Sequence, residues 1–204
     1  MRETGQPYQG FYPVNDGRYV TLGSLTAPKE LCLFDSTNEV IKSTDFPQWT
    51  DLNDEDNPLA PAFAYAKTCV VSPDRKRIAA FYSYFKRMRI YDEHLNLLQD
   101  VDIQIKPFHT HFSPAGHVAQ QPQYYIGQPQ AVNGCIYALC SNAAGGEEEK
   151  RSELHIFDWN GKALACYTFD RRLSLIAISG RHRKIYALNK AVEDELYIYE
   201  LPAL

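Results

Sequence analysis

Three histidines in one long stretch of this 204-residue sequence are candidates for a metal site. His109 and His111 lie two residues apart, so both side chains point the same way if the chain is extended there. His117 follows on the same stretch, and imidazoles are common ligands of Zn²⁺. We therefore treat His109, His111 and His117 as candidate metal ligands. The alternative is a loop packed on Phe108 and Phe112, whose histidines bond to backbone groups.

A second group of candidates combines acids with tyrosines. Asp51 and Glu55 belong to an acidic stretch at 47–61, and Tyr124 and Tyr125 follow the histidines. Solvated charges and core packing explain such residues most simply, but clustered acids also attract charged partners, and tyrosine rings stack on ligands. The predicted binding residues are Asp51, Glu55, His109, His111, Tyr124 and Tyr125. The sequence contains no Gly-rich phosphate loop and no GxSxG nucleophile elbow, so we predict no catalytic residue and no cofactor.

These candidates lie between the strands of a fourfold sequence repeat. An apolar residue, any residue, Ile or Leu, an aromatic residue and an acid recur in that order at 31–35, 88–92, 154–158 and 196–200. This alternation predicts a half-buried strand that ends at a turn. Turn signals and further apolar stretches surround each copy. Each unit is therefore predicted to form four antiparallel strands, a to d, except that the fourth copy has no strand d.

Four-stranded units repeated along a chain are typical of a β-propeller. We predict an all-β fold, with a single propeller domain over 1–204 and blades near 10–46, 63–105, 123–169 and 173–204. These four blades would be part of a six-bladed type, and the last lacks its outer strand. The open edge at 195–201 would favour edge-to-edge self-association. An antiparallel sandwich is the alternative fold.

The predicted topology sorts the connections onto two faces. The a–b and c–d turns share one face, and the longer b–c loops and d–a linkers share the other. All the candidate binding residues fall on or next to these longer connections. Because long loops on a rigid scaffold commonly carry sites, we expect the binding site on this long-loop face.

Composition limits the classes of function. Lys plus Arg number 21 and Asp plus Glu number 25, a net charge of −4 that argues against nucleic-acid binding. The sequence has no apolar run of membrane-spanning length and no signal-peptide core at its start. Its five cysteines form no CxxC pair, so we expect buried free thiols.

Several segments resemble the TolB-like six-bladed β-propeller family of bacteria. The resemblance rests on 152–162, Phe169-Asp170, 175–178, 184–188 and the turn at 72–76, and it covers most of the chain from about Gly10. It matches the C-terminal four blades of members that are generally longer and often carry an export signal. The resemblance implies an exported or cell-envelope protein, whereas a complete chain without a signal would be cytoplasmic. The family supplies no catalytic motif to transfer.

We therefore predict a non-enzymatic binding or interaction module whose partner is a protein or a small-molecule ligand. One alternative is a metal-dependent, lactonase-like propeller hydrolase or lyase. That activity would require acid, histidine and asparagine side chains that converge on the channel mouth. The other alternative is a truncated remnant of a longer propeller.

Overall fold

The computed structural model describes residues 10–23, 29–49, 60–103, 122–142, 150–192 and 195–203. In these ranges the chain forms four antiparallel sheets, each built from consecutive strands. Three sheets have four strands and the last has three. The prediction of an all-β propeller fold whose last unit lacks an outer strand is confirmed.

The strands alternate with short turns and longer connections. The first sheet contains β1 (Tyr12–Pro13), β2 (Tyr19–Leu22), β3 (Leu31–Phe34) and β4 (Val40–Thr44). The second contains β5 (Lys67–Val71), β6 (Arg77–Tyr82), β7 (Arg87–Asp92) and β8 (Leu97–Asp102). The third contains β9 (Gln130–Val132), β10 (Cys135–Cys140), β11 (Glu153–Phe157) and β12 (Ala163–Thr168). The fourth contains β13 (Leu175–Ser179), β14 (Lys184–Leu188) and β15 (Leu196–Glu200).

The repeated acid closes the same turn in the first three sheets. In each, one carboxylate oxygen accepts hydrogen bonds from the backbone N–H groups two and four residues later, for Asp35, Asp92 and Asp158. The residue three positions after the acid has a positive φ, 67° at Asn38, 56° at Leu95 and 85° in the third copy. A carboxylate that satisfies two N–H groups explains why the acid recurs.

Side-chain amides join neighbouring inner strands. The Gln130 side chain on β9 donates to the Ile176 carbonyl at 2.6 Å and accepts from the Ile178 N–H at 2.9 Å, both on β13. Gln128 donates in the same way to the carbonyl of Cys69 on β5. The inner strands β1, β5, β9 and β13 contact one another in that order. They therefore line the inner edge of the array of sheets.

The core divides into three interfaces between successive sheets. Alternate residues of β6 point to opposite sides, so that Ile78 and Tyr82 pack towards the first sheet and Phe81 towards the third. We call the contacts between the first and second sheets the first interface, those between the second and third the second interface, and those between the third and fourth the third interface. The third interface is packed chiefly with apolar side chains such as Leu154 and Ile185.

The fourth sheet has one apolar face that is open to solvent in the described structure. Leu175, Leu188 and Leu196 pair across the sheet and are 40%, 41% and 58% exposed. Ile198 lies two residues further on the same face and is 56% exposed. This face is the counterpart of those that are buried between the other sheets.

One short helix, α1 (Ala60–Ala64), precedes β5 and was not predicted from the sequence. Pro61 lies in its first turn, where a missing N–H costs nothing, and the Pro61 carbonyl accepts a bond from Tyr65 N at 2.9 Å. The turn places Phe63 at the surface and Tyr65 in the core. Among the described residues, none of the helical structure has the length and hydropathy of a membrane span.

Candidate functional site

A cavity of about 230 Å³ opens at the long-loop end of the first interface. Its walls come from the ends of β2 and β6, the start of β3 and the segment that leads into β5. The described lining residues are Leu22, Gly23, Lys29, Glu30, Phe46, Ala62, Phe63, Tyr65, Ala66, Lys67 and Ser83. It is a small cavity with aromatic walls and two lysines, and it lies on the face where the sequence placed the binding site.

Glu30 is a wholly buried carboxylate next to this cavity. Tyr82 donates a hydrogen bond to one of its oxygens, and Tyr91 donates to the other at 2.7 Å. The Arg89 guanidinium lies 3.2 Å from the second oxygen. Burying a charge is costly unless it is paired and hydrogen-bonded, and here both conditions are met. Burial, followed by the Glu30 charge, raises the pKa of both tyrosines, so they remain neutral donors.

The guanidinium of Arg89 is itself held from two sides. Its Nε donates to Asp100 at 2.9 Å, and the Trp49 ring packs against it with the centroid 4.9 Å away. Trp49 also donates its ring N–H to Asp100 at 3.3 Å. These contacts fix Arg89 in place, so the cluster of Glu30, Tyr82, Tyr91 and Arg89 forms a rigid wall rather than a set of free ligand-binding groups.

Lys67 lines the cavity and has no ion-pair partner among the described residues. Its ammonium donates to the Tyr65 carbonyl at 3.2 Å and lies 5.2 Å from the Phe46 ring centroid. No carboxylate of the described residues lies within ion-pair distance of it. Burial lowers the pKa of Lys67, and the more distant Glu30 carboxylate opposes this shift. Lys29 also borders the cavity but is paired with Asp45 at 2.6 Å.

A second polar cluster lies at the long-loop end of the second interface. His155 Nε2 is 2.8 Å from a Glu153 oxygen, and its Nδ1 is 2.8 Å from the Tyr125 hydroxyl. Lys86 Nζ is 3.3 Å from the same Glu153 oxygen. The Cys140 thiol lies close enough to Glu153 and His155 that the three side chains could hold a metal ion.

Burial shifts the pKa values of the side chains in this second cluster. Burial lowers the pKa of His155, although its hydrogen bond to Glu153 opposes that shift. Burial raises the pKa of the Cys140 thiol to about 12. Burial alone would also raise the pKa of Glu153, but the hydrogen bond from His155 and the charge of Lys86 hold it below its usual range. At neutral pH the cluster therefore contains a neutral imidazole, a thiol and a carboxylate.

The structure describes only two of the residues predicted to form the site. Tyr124 and Tyr125 are buried in the second interface, 8% and 1% exposed, and Tyr125 contacts His155. Five others lie outside the described residues, namely Asp51, Glu55, His109, His111 and the third metal candidate His117. These assignments remain predictions.

Sequence reasoning missed the residues around which the two clusters form. Glu30 follows a lysine directly before a strand, which is the pattern of a solvated charge pair. His155 occupies the variable position of the repeated strand motif. One signal was present for each: Glu30 immediately precedes an apolar strand, and His155 is flanked by apolar neighbours in a strand predicted to be half-buried.

Solved structures with a similar fold are larger than this chain. A member of the DUF4221 family from Bacteroides vulgatus has a TM-score of 0.61 at 10% identity, covering 95% of this chain and 64% of its own. The complex of KlAtg21 with the coiled-coil of AgAtg16 has a TM-score of 0.53 at 11% identity, covering 90% of this chain and 48% of its own. BamB from Moraxella catarrhalis has a TM-score of 0.48 at 10% identity, covering 88% of this chain and 39% of its own.

No family model and no curated protein matches the sequence. The chain spans between 39% and 64% of the length of the three solved structures. At identities near 10% the likeness concerns architecture alone. The likeness to the two structures with TM-scores of 0.61 and 0.53, with the order of the sheets, identifies a β-propeller fold.

Proposed function

We propose that this chain is a non-enzymatic binding module, and that the cavity of the first interface takes a small ligand with an anionic group and an apolar body. The observation that carries the proposal is the Lys67 ammonium, which lies at the cavity without a carboxylate partner among the described residues. An anionic group would supply that partner. Phe46 and Phe63 would pack on the apolar part, and Phe63 is 53% exposed in the described structure.

The surrounding structure favours binding over catalysis. The buried carboxylate, both tyrosine hydroxyls and the guanidinium are already engaged with one another. They fix the wall against which Lys67 lies, and a preformed site loses little entropy when it binds. A cavity of about 230 Å³ is smaller than the ligand pockets of about 300–1,000 Å³ that are usual in proteins, so the ligand is a small one.

Nuclear magnetic resonance titration of the labelled chain tests this proposal, with benzoate as the probe and benzyl alcohol as its neutral counterpart. Benzoate should shift the amide signals of Phe63, Lys67 and Ser83, and benzyl alcohol should shift them less. Lys67→Met keeps the apolar stem but removes the charge, so it should weaken benzoate binding about tenfold. Lys86→Met, which removes a lysine from the second interface, is the matched control and should leave benzoate binding unchanged.

The titration also has results that oppose the proposal. Shifts confined to the arginines of the short-turn face, Arg75, Arg77 and Arg183, would place anion binding on the wrong face. Equal shifts with benzoate and benzyl alcohol would remove the role of Lys67. In contrast, additional shifts at the loop residues Asp51, Glu55, His109 and His111 would support the proposal and extend the binding site to the residues predicted from the sequence.

Self-association through the fourth sheet is a second candidate function. β15 pairs only with β14 among the described strands, and its Leu196 and Ile198 are exposed. An edge strand with an apolar face favours pairing with another chain. Sedimentation across a range of concentrations should show a dimer that Ile198→Lys abolishes. A monomer at the highest concentration would contradict this candidate.

We further propose that the chain belongs with the TolB-like propellers of the bacterial envelope, which the four successive sheets and the motifs at 152–162 support. The alternatives of a metal-dependent hydrolase or lyase, and of a truncated remnant, predict different observations. Turnover of a lactone by the purified chain would favour the first. Two further blades encoded upstream in another reading frame would favour the second.

A further inference from the structure

Three potential metal ligands converge on one face of the third sheet. Cys140 on β10 pairs directly with Glu153 on β11, and His155 lies two residues further along β11. Paired residues, and residues two apart in a strand, share a face of the sheet. All three side chains therefore point into the second interface, and their ligand atoms lie within 4.8 Å of one another.

The chemistry of the three groups fits a particular class of ion. A thiolate, an imidazole and a carboxylate are the ligands that proteins use for Zn²⁺, at about 2.3, 2.0 and 2.1 Å. Two ligand atoms on one tetrahedral ion then lie about 3.3 to 3.6 Å apart. Because the three ligand atoms lie within 4.8 Å of one another, closing on an ion requires movements of up to about 1 Å, which side-chain rotation can provide. Hard cations such as Ca²⁺ would require more oxygen ligands.

The surroundings orient two of the ligands. The Tyr125 hydroxyl lies 2.8 Å from His155 Nδ1, which turns Nε2 towards Glu153 and Cys140. The Cys140 sulfur lies 3.3 Å from the Asn142 side-chain oxygen. A metal-binding histidine typically forms such a hydrogen bond through the ring nitrogen that does not bind the metal, as Nδ1 of His155 does here. Cys140 and His155 are buried, whereas the Glu153 side chain is 27% exposed and leaves a path for an ion.

We propose that Cys140 Sγ, the Glu153 carboxylate and His155 Nε2 form a site for a divalent transition-metal ion of the Zn²⁺ class. Three protein ligands leave the fourth tetrahedral position to water. The site lies in the second interface and does not depend on ligand binding at the cavity of the first interface. It also differs from the histidine site predicted from the sequence and from the expectation that the protein has no cofactor.

Binding rearranges protons in a defined way. The Cys140 thiol loses its proton to solvent when Sγ bonds to the ion. The neutral imidazole gives up the proton on Nε2, which donates to Glu153 in the unbound structure, and takes one up on Nδ1, so its proton count does not change. Nδ1 then donates to the Tyr125 oxygen, which was the donor before, and the Nε2 lone pair is free for the ion. Glu153 has two oxygens and can contact both the ion and Lys86. Lys86 is then the principal electrostatic opponent of the ion, since its ammonium lies 3.3 Å from that carboxylate.

Cobalt titration of the whole purified chain, after treatment with a chelator, tests the proposal. Co²⁺ should bind at one equivalent and give a thiolate-to-cobalt charge-transfer band in the near ultraviolet, and Zn²⁺ should remove that band. One proton should be released for each ion bound. The band should be absent from Cys140→Ser, while His155→Gln should weaken binding at least tenfold, the loss expected when a ligand is removed.

Two further variants separate a metal site from a structural network. Cys166→Ser is the matched control, because Cys166 lies opposite His155 on the neighbouring strand but outside the ligand group, and it should bind Co²⁺ like the unmodified chain. Lys86→Met removes the like charge and should tighten binding about tenfold, an effect that lost packing would not produce. If the unmodified chain shows no charge-transfer band at millimolar Co²⁺, or if Cys140→Ser retains the band, the proposal is wrong.

Discussion

The first and second interfaces both bury polar clusters at the long-loop end, but the carboxylates of the two clusters differ in their burial and in their partners. In the first, Glu30 is wholly buried and is matched by a guanidinium and two tyrosine hydroxyls. In the second, the Glu153 side chain is 27% exposed and its principal partners are a histidine and a half-buried lysine. The comparison indicates that a fully buried charge needs fixed partners. A partly exposed carboxylate such as Glu153 can instead give up a hydrogen bond and bind the metal ion proposed above.

Removing the cationic partner of Glu30 should produce the largest effect. Arg89→Met leaves a wholly buried carboxylate with two neutral donors, and breaking a buried ion pair costs about 3 kcal/mol of the free energy of unfolding. Arg87→Met is the matched control: Arg87 also lies against Trp49 and pairs with Asp100, but its side chain is 25% exposed. It should cost about 1 kcal/mol or less. Equal losses in urea unfolding would contradict the distinction.

Removing one hydroxyl from Glu30 should have the next largest effect. Tyr82→Phe keeps the ring but deletes a hydrogen bond to a buried charge, which is worth about 2 kcal/mol. Tyr186 pairs with Ile198 and so lies on the open face of the fourth sheet, and Tyr186→Phe should change stability by less than about 0.5 kcal/mol. The measurement is again the free energy of unfolding in urea. A loss in Tyr82→Phe no larger than in Tyr186→Phe would mean that Glu30 does not rely on this hydroxyl.

Alkaline pH should weaken the first interface. Burial and the Glu30 carboxylate raise the pKa of Tyr82 well above its usual value of about 10. Above about pH 10 the unfolded chain releases the Tyr82 proton whereas the folded chain retains it, so the free energy of unfolding falls as pH rises. The Tyr82→Phe variant lacks this group. Its stability should fall less steeply above pH 10, by up to about 1.4 kcal/mol per pH unit, and parallel curves would contradict the assignment.

The corresponding hydroxyl in the second interface should contribute least. Tyr125→Phe removes a hydrogen bond between neutral groups, from the tyrosine to His155, and should cost about 1 kcal/mol. Both variants delete one hydroxyl from a buried tyrosine, so their difference measures the charge of the acceptor. If Tyr125→Phe proved as destabilising as Tyr82→Phe, the two clusters would not differ in the way described above.

The sequence predicts those parts of the fold that depend on neighbours along the chain. The acids Asp35, Asp92 and Asp158 mark turns because each bonds to N–H groups within four residues, and a local pattern reveals such a turn. The sheets follow from alternation for the same reason. Leu95 shows the limit of local rules, since it takes the same positive φ as Asn38 although its type gives no sign of it.

The candidate site depends on contacts between sheets, and these the sequence does not encode locally. Glu30 is bonded to Tyr91, 61 residues away, and Arg89 lies 59 residues from it. Glu30 directly follows Lys29 in the sequence, and such a pair of opposite charges is usually exposed. The role of His155 likewise depends on Tyr125, which comes from another part of the chain, 30 residues earlier. Such residues come together only when one sheet packs against the next.

The construction of every sheet from consecutive strands also has a kinetic consequence. Strand pairing within a sheet closes short segments of chain, which is fast, whereas contacts such as Glu30 to Tyr91 must wait until two sheets dock. Interactions formed after the rate-limiting step change the rate of unfolding and leave the rate of folding nearly unaltered. We expect the polar cluster of the first interface to form after the rate-limiting step, so that weakening it should shorten the lifetime of the folded chain while the time needed to fold stays the same.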